Sequence, residues 1–170
     1  AVPLQLLPGC EAMVHPALPR WLEEGVAQYV ESLITRPEFA QREYLQQRYQ
    51  VRHAYLRGAL PTGAQLSASD WSGSAASQED FQLLYDVSLL VVRRVVELLG
   101  EEGLRTLVES RGASIQLDDY IAQHLLPSLL TFLPEEVAGR TVCELSDVLE
   151  ERDNVISDWN ARSEMTDEGY

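Results

Sequence analysis

The chain contains no lysine, and all 13 of its basic residues are arginine, against 27 aspartates and glutamates. Its formal net charge is −14 over 170 residues. Such a charge disfavours direct binding to nucleic acid or to an anionic membrane surface, and it favours solubility or a basic partner. We attribute the exclusive use of arginine to a GC-rich genome, and we expect a bacterial protein.

Cysteines and long apolar runs are also scarce. The two cysteines, Cys10 and Cys143, leave open both a single disulfide and two free thiols. The longest apolar run, around residues 87–92, ends at Arg93 and is far too short to cross a bilayer. We therefore expect a soluble protein without a transmembrane segment, and the compartment stays open between the bacterial cytoplasm and export.

Several catalytic motifs are missing. The sequence has no glycine loop of the kind that binds phosphate and no G-x-S-x-G motif. Its three histidines, His15, His53 and His124, do not form the H-E-x-x-H pattern that places two zinc ligands on one face of a helix. These absences exclude the commonest nucleotide-binding, serine-hydrolase and zinc-peptidase signatures from the chain as given.

What is present is helical periodicity, which predicts an all-α fold: a compact bundle of about five or six helices in a single domain over residues 1–160. Residues 1–17 are predicted to be an extended arm, residues 59–78 a long loop, and residues 161–170 a disordered acidic tail. The predicted helices run from Pro19 to Ile34, from Pro37 to Arg57, from the Ser77–Asp80 capping pair to Leu99, from Glu101 to Ser110, from Leu117 to Leu126 after a Ser114 cap, and from Glu135 to Leu149.

Two of these helices have a predicted role in the core. The third helix is apolar over most of its circumference, which predicts that it is the central one. In the second helix, one side is apolar, and the charged residues, glutamines and histidine are predicted to keep the other side in solvent.

The first helix contains an unusual pair, Glu24 followed by Gly25. Glu24 lies nearly opposite the helix's apolar stripe, so we expect this pair to face away from the core, beside Gln28 and Glu31. A glycine inside a helix costs about 1 kcal/mol relative to alanine, and it is useful where another backbone or a ligand must come close. The apolar stripe consists of Leu22, Val26, Tyr29, Val30 and Leu33.

The run from Pro19 to Tyr29, PRWLEEGVAQY, resembles the P-x-W-L-x-E-G-x-A-x-Y segment of gluzincin-type zinc metallopeptidases, the peptidase-MA-like group. The resemblance extends over about residues 16–126, because the order of the later helices is similar to the helical half of those domains. It implies that Glu24 is the third zinc ligand and that Tyr85 donates to the oxyanion of the tetrahedral intermediate.

The chain departs from this family where the first two zinc ligands belong. Counting back from Glu24 places the H-E-x-x-H helix near Ala1 to Gln5, which reads AVPLQ and offers no good zinc ligand. We therefore expect no cofactor and no peptidase activity for the chain as given. Zinc is expected only if a lobe carrying H-E-x-x-H is supplied.

Three interpretations remain open. The first is a non-catalytic or incomplete metallopeptidase-like domain that acts as a binding or regulatory module. The second is a fragment of an active zinc metallopeptidase whose catalytic lobe lies upstream or on another chain. The third is an unrelated acidic all-α interaction domain.

The expected partner is a protein or peptide, which includes a missing N-terminal lobe of the same protein, and no nucleic acid. Trp71, at the centre of the long loop, either anchors that loop or covers a cleft. The residues expected to face a cleft and to bind there are Trp21, Gly25, Gln28, Glu31 and Trp71.

Overall fold

The computed structural model describes residues 17–73, 75–129 and 131–137, with the single residues 157, 159, 161 and 162. The described ranges contain helices and connecting segments but no strand, so the predicted all-α bundle is confirmed. A π-helical turn, Ile121–Leu125, joins two of the short helices. The α-helices are α1 (Arg20–Ile34), α2 (Pro37–Leu56), α3 (Gly63–Ser67), α4 (Gln78–Glu109), α5 (Leu117–Tyr120), α6 (Leu126–Leu129) and α7 (Pro134–Val137).

Local signals set the ends of the long helices. Pro37 occupies the first turn of α2, where its missing N–H costs nothing. The hydroxyl of Ser77 caps α4 by accepting a hydrogen bond from the Asp80 N–H at 3.2 Å. Gly100 interrupts α4 with φ 69° and ψ −167°, a left-handed φ that favours glycine. The predicted capping pair and the predicted break are therefore both present.

Helix α4 lies at the centre of the bundle, as its apolar circumference predicts, because both α1 and α2 pack against it. Many of its core residues are β-branched, a type that favours strands when taken alone. Burial on several sides outweighs that preference. The buried apolar residues of α4 are Leu83, Leu84, Val87, Leu89, Leu90, Val91, Val92, Val95 and Leu107.

The prediction for the faces of α1 is wrong in part. Gly25 faces α4, not away from the core, and a Cβ at this position would lie 2.6 Å from the Ser88 carbonyl oxygen. Val30 and Leu33, predicted to be apolar core, are 52% and 65% exposed. The reason is that α1 approaches α4 closely at a glycine, whereas the predicted contact face was placed from apolar side chains alone.

The segment between α2 and α4 is more ordered than a long loop. Within it, Thr62 and Gln65 form a reciprocal capping box that starts α3. The Gly63 N–H donates to the Asp118 carboxylate at 2.7 Å, which ties α3 to α5. Only the stretches on either side of α3 are therefore irregular.

The predicted cap of α5 is wrong. Gln116, rather than Ser114, accepts the Asp119 N–H at 2.7 Å, while the Ser114 N–H donates to the Ser110 hydroxyl. Serine is the commoner cap, so the sequence favoured it, but here the turn after α4 uses that residue differently.

The prediction for the polar side of α2 is also wrong in part, because Arg48 and Arg52 are buried. Arg48 Nε donates to a carboxylate oxygen of the buried Glu136 at 2.7 Å, and an Arg52 nitrogen lies 3.6 Å from the other oxygen. Arg48 also donates to the carbonyls of Ser128 and Thr131, and Arg52 to that of Leu129. We call Arg48, Arg52 and Glu136 the arginine clamp, because it joins α2 to the region of α6 and α7.

Several predictions lie outside the described residues. These are the arm over residues 1–16, the two cysteines, the helix beyond Val137, and the tail beyond residue 162. Among the helices that the structure describes, none is both long enough and apolar enough to span a membrane.

Candidate binding site

The structure brings together the two residues to which the family resemblance assigns chemistry. An Arg20 nitrogen lies 3.0 Å from a Glu24 carboxylate oxygen, and the guanidinium carbon lies 5.2 Å from the centre of the Trp71 ring. Tyr85 packs its ring edge-on against Trp71, at 5.1 Å between centroids. The Tyr85 side chain is also the main reason why the pKa of Arg20 lies above its ordinary value; Glu24 adds to this effect, which desolvation partly offsets. We call these four residues the Arg20 cluster.

Two contacts hold the Arg20 cluster in place. The Gln28 amide donates to the Tyr85 carbonyl at 3.0 Å and to the Glu24 carbonyl at 3.3 Å, which links α1 to α4. The Trp71 N–H donates to the Leu66 carbonyl at 3.2 Å, and the ring is buried. Of the two roles predicted for Trp71, the structure favours the anchor.

The described residues do not fit the zinc site that the family resemblance implies. In the described ranges, no group of three His, Cys, Asp or Glu side chains lies close enough to hold a metal ion. Glu24 is instead paired with Arg20 one helical turn away. Exposed pairs of this spacing are worth about 0.3–0.5 kcal/mol, so the pairing by itself leaves the Glu24 carboxylate available to a stronger partner.

A cleft of about 890 Å³ lies between α1, α2 and α4. The four residues of the Arg20 cluster do not line it, but Gln28, which donates to the Glu24 and Tyr85 carbonyls, does. Its volume is within the range of small-molecule and peptide side-chain sites, about 300–1,000 Å³. Its walls are polar and predominantly acidic. Five carboxylates line it (Glu31, Glu43, Glu79, Asp80 and Asp86), with two arginines (Arg57 and Arg93), His53, and five glutamines (Gln28, Gln46, Gln47, Gln50 and Gln82).

Asp86 is the unusual residue of this cleft. It is 2% exposed, yet it is one of the lining residues, and Gln82 donates to its carboxylate at 3.0 Å. Burial raises the pKa of Asp86 to about 6, and the hydrogen bond from Gln82 offsets only part of this shift. A buried carboxylate with a perturbed pKa inside a cleft is a frequent property of functional sites.

We expect Asp86→Asn to stabilise the protein at about pH 7.5 by about 1–2 kcal/mol, and to change little at about pH 4.5. The folded state binds this proton more tightly than the unfolded chain, so stability falls as pH rises from about 4 to about 6. Above that range the folded protein bears the full cost of the buried charge, which asparagine avoids.

Urea denaturation at the two pH values measures this effect, with Glu109→Gln as the control because Glu109 is exposed on α4 and outside the cleft. Equal effects of Asp86→Asn at both pH values would contradict the assignment of a raised pKa to this residue.

The other predicted binding residues divide into two groups. Gln28 and the exposed Glu31 line the cleft, whereas Trp21, Gly25 and Trp71 do not. Trp21 is buried in the core beside Gly112 and borders a smaller pocket of about 410 Å³. Gly25 is covered by α4.

Asp86 and Gln47 were not predicted as cleft residues, although both line the cleft. The available signal for Asp86 was a carboxylate on a helix that is apolar nearly all round, since charged residues are almost never fully buried without a reason. Gln47 carried no such signal, because a glutamine on the polar side of a helix is ordinary.

No family model, no curated protein and no solved structure matches this chain. The function therefore has to be argued from the chemistry of the cleft and of the Arg20 cluster.

Proposed function

We propose that this chain is a non-catalytic, metallopeptidase-like helical domain that binds an extended peptide in the cleft between α1, α2 and α4. The observation that carries the proposal is the cleft itself: it opens along the α1 face that bears Gln28 and Glu31, and Gln28 also contacts the Arg20 cluster. This is the helix on which the gluzincin resemblance rests. In the proposed role, the surface beside Glu24 takes part in binding, and no metal is required.

The lining of the cleft suits a peptide backbone. A glutamine side chain offers one acceptor and two donors, which is the same set of groups that a peptide bond needs from its surroundings. Five glutamines line the cleft from three helices. Gln28 uses its amide donors within the fold and Gln82 uses one of its two, so the donors free for a peptide come mainly from the three glutamines of α2. The excess of carboxylates over arginines favours a partner that is neutral or basic over an acidic one.

A neutral peptide tests this proposal. The probe is an acetylated and amidated nonapeptide of glycine, serine and alanine with glutamine at its centre, titrated into the ¹⁵N-labelled protein. We expect the side-chain amide signals of Gln28, Gln47 and Gln50 to shift as the cleft fills. The amide signals of Gln65 and Gln116 serve as internal controls, because these two residues lie outside the cleft.

A matched pair of variants locates the binding. Gln50→Trp places a large ring in the cleft and should abolish the shifts, whereas Gln123→Trp, at an exposed position outside it, should preserve them. Shifts that are absent from the wild-type protein, or that survive Gln50→Trp, would contradict the proposal.

The second candidate is a fragment of an active zinc metallopeptidase whose H-E-x-x-H lobe lies upstream or on another chain. The observation that favours it is the Arg20 cluster, in which Arg20 pairs with Glu24 and packs over Trp71, whose ring in turn contacts Tyr85. The gene sequence upstream of Ala1 separates the two candidates, because an H-E-x-x-H motif encoded there would favour the peptidase. Elemental analysis of the purified chain tests whether its own residues hold zinc. We expect no stoichiometric zinc, either in the wild-type chain or in Glu24→Ala. Stoichiometric zinc that is lost in Glu24→Ala would favour the peptidase instead.

A further inference from the structure

We propose that the cleft selects peptides carrying a lysine or arginine, whose aliphatic stem lies along Leu83 and Leu89 and whose cationic group pairs with Asp86. The inference rests on the proposed peptide-binding function and specifies what that cleft recognises. Leu83 and Leu89 stand three residues before and after Asp86 on α4, and all three line the cleft. Residues three apart are neighbours on a helix surface. The cleft wall therefore presents apolar contact on both sides of a carboxylate, which matches a long basic side chain.

The hydrogen bonds of Asp86 are incomplete for a buried carboxylate. An ionised carboxylate has about four acceptor positions. In the described part of the chain, Gln82 is its hydrogen-bond donor, and no arginine or histidine lies within ion-pair distance. Buried charges are normally paired, since leaving one unpaired is costly. A cation supplied by a ligand would pair with the Asp86 carboxylate and donate to its free acceptor positions.

A second acceptor in the same cleft, the side-chain oxygen of Gln47, is buried and receives no hydrogen bond from the described residues. Gln47 lies on α2 and Asp86 on α4, so the two acceptors belong to different walls of the cleft. Ammonium and guanidinium groups are donors only, with three and five N–H groups respectively. They are therefore the side-chain groups that suit a cleft with surplus acceptors.

Two cationic groups of the cleft, Arg93 and His53, contact aromatic rings and do not pair with Asp86. The Arg93 guanidinium carbon lies 3.7 Å from the centre of the Tyr44 ring, where it makes a cation–π contact. The His53 ring stacks on Tyr49 at 5.8 Å between centroids. A bare divalent cation fits poorly, because the described residues offer no group of three acidic or nitrogen ligands.

The binding of a basic peptide should weaken as pH falls through about 6, because the raised pKa of Asp86 brings its protonation into that range. Other charged groups face the same cleft. They are Glu31 from α1; Glu43 and His53 from α2, with Arg57 directly after it; and Glu79, Asp80 and Arg93 from α4. Asp86 is the group that the cation of the peptide is proposed to contact, so its protonation should have the largest effect on binding in that range.

The test replaces the central glutamine of the neutral nonapeptide by arginine, lysine or glutamate. The dissociation constant of each peptide is measured by NMR titration at about pH 7.5, for the wild-type protein, Asp86→Asn and Glu109→Gln. We expect the arginine peptide to bind the wild-type protein about tenfold more tightly than the glutamine peptide, and the glutamate peptide to bind more weakly. Asp86→Asn should remove most of this preference, and Glu109→Gln should leave the preference intact.

The outcomes separate this inference from the proposed function. If the glutamine peptide does not bind the cleft, the proposed function fails. If it binds but arginine adds nothing, or if the preference survives in Asp86→Asn, the present inference alone is overturned. Asparagine keeps the shape of Asp86 and can still accept the Gln82 hydrogen bond, so the variant should fold. As an independent check, the preference of the wild-type protein for arginine should disappear between about pH 7 and pH 5.

Discussion

Gly25→Ala is expected to lower the free energy of unfolding by about 3 kcal/mol, although alanine is the better helix former. The added Cβ would lie 2.6 Å from the Ser88 carbonyl oxygen and 2.7 Å from a methyl carbon of Val92. The carbonyl belongs to the backbone of the central helix and has little freedom to move. The substitution therefore has to push α1 away from α4, which opens the core around Leu22.

Urea denaturation measures this loss as a lower midpoint with an unchanged slope. Gly73→Ala is the matched control, because a Cβ at Gly73 meets no atom within 4 Å, and we expect a change below about 0.5 kcal/mol there. A neutral or stabilising effect of Gly25→Ala would show that the two helices do not approach each other as described.

Glu136→Gln is expected to destabilise the protein by a similar amount, about 3 kcal/mol, because it removes the carboxylate of the arginine clamp. Both guanidinium groups are buried, and each lies within 4 Å of a Glu136 oxygen. Removing one partner of a buried ion pair leaves the opposite charge poorly solvated, which costs far more than the pair itself contributes.

Glu135→Gln is the control for this prediction, since Glu135 precedes Glu136 in the same helix but is exposed. We expect it to change the free energy of unfolding by less than about 0.5 kcal/mol. Thermal and urea unfolding of the two variants provide the comparison. Equal losses of stability in the two variants would mean that the carboxylates of α7 stabilise that helix alone, and not through the arginine clamp.

The sequence could predict much of the helical framework because its signals are local. The capping pair before α4, the proline at the start of α2 and the break at Gly100 each act within a few residues. The glycine after Glu24 also correctly signalled a close approach. Its partner could not be predicted, because whether a ligand or a second backbone comes close depends on how α1 and α4 cross.

The candidate site was harder to predict because it is built from residues far apart in the chain. Gln28 and Glu31 were predicted because they lie on the same face of α1 as Glu24. The acceptors of Asp86 and Gln47 line the same cleft only when α2 and α4 pack together. The buried arginines of α2 were assigned to solvent, since an isolated helix gives no sign that a glutamate more than 80 residues later lies against it.

The arginine clamp also ties the folding of distant segments together. Helix α7 has four residues, far below the length of about 12 residues at which a helix is even marginally stable alone, and α6 is the last turn of a continuous helical run over residues 117–129. Arg48 and Arg52 donate to the carbonyls of Ser128, Leu129 and Thr131. These carbonyls lie at or after the end of α6, where the described residues offer no further helical turn to supply an N–H donor. Helix α2 thus stabilises the C-terminal end of α6 and helix α7. We therefore expect the backbone amides of these segments and of α2 to exchange as one cooperative unit.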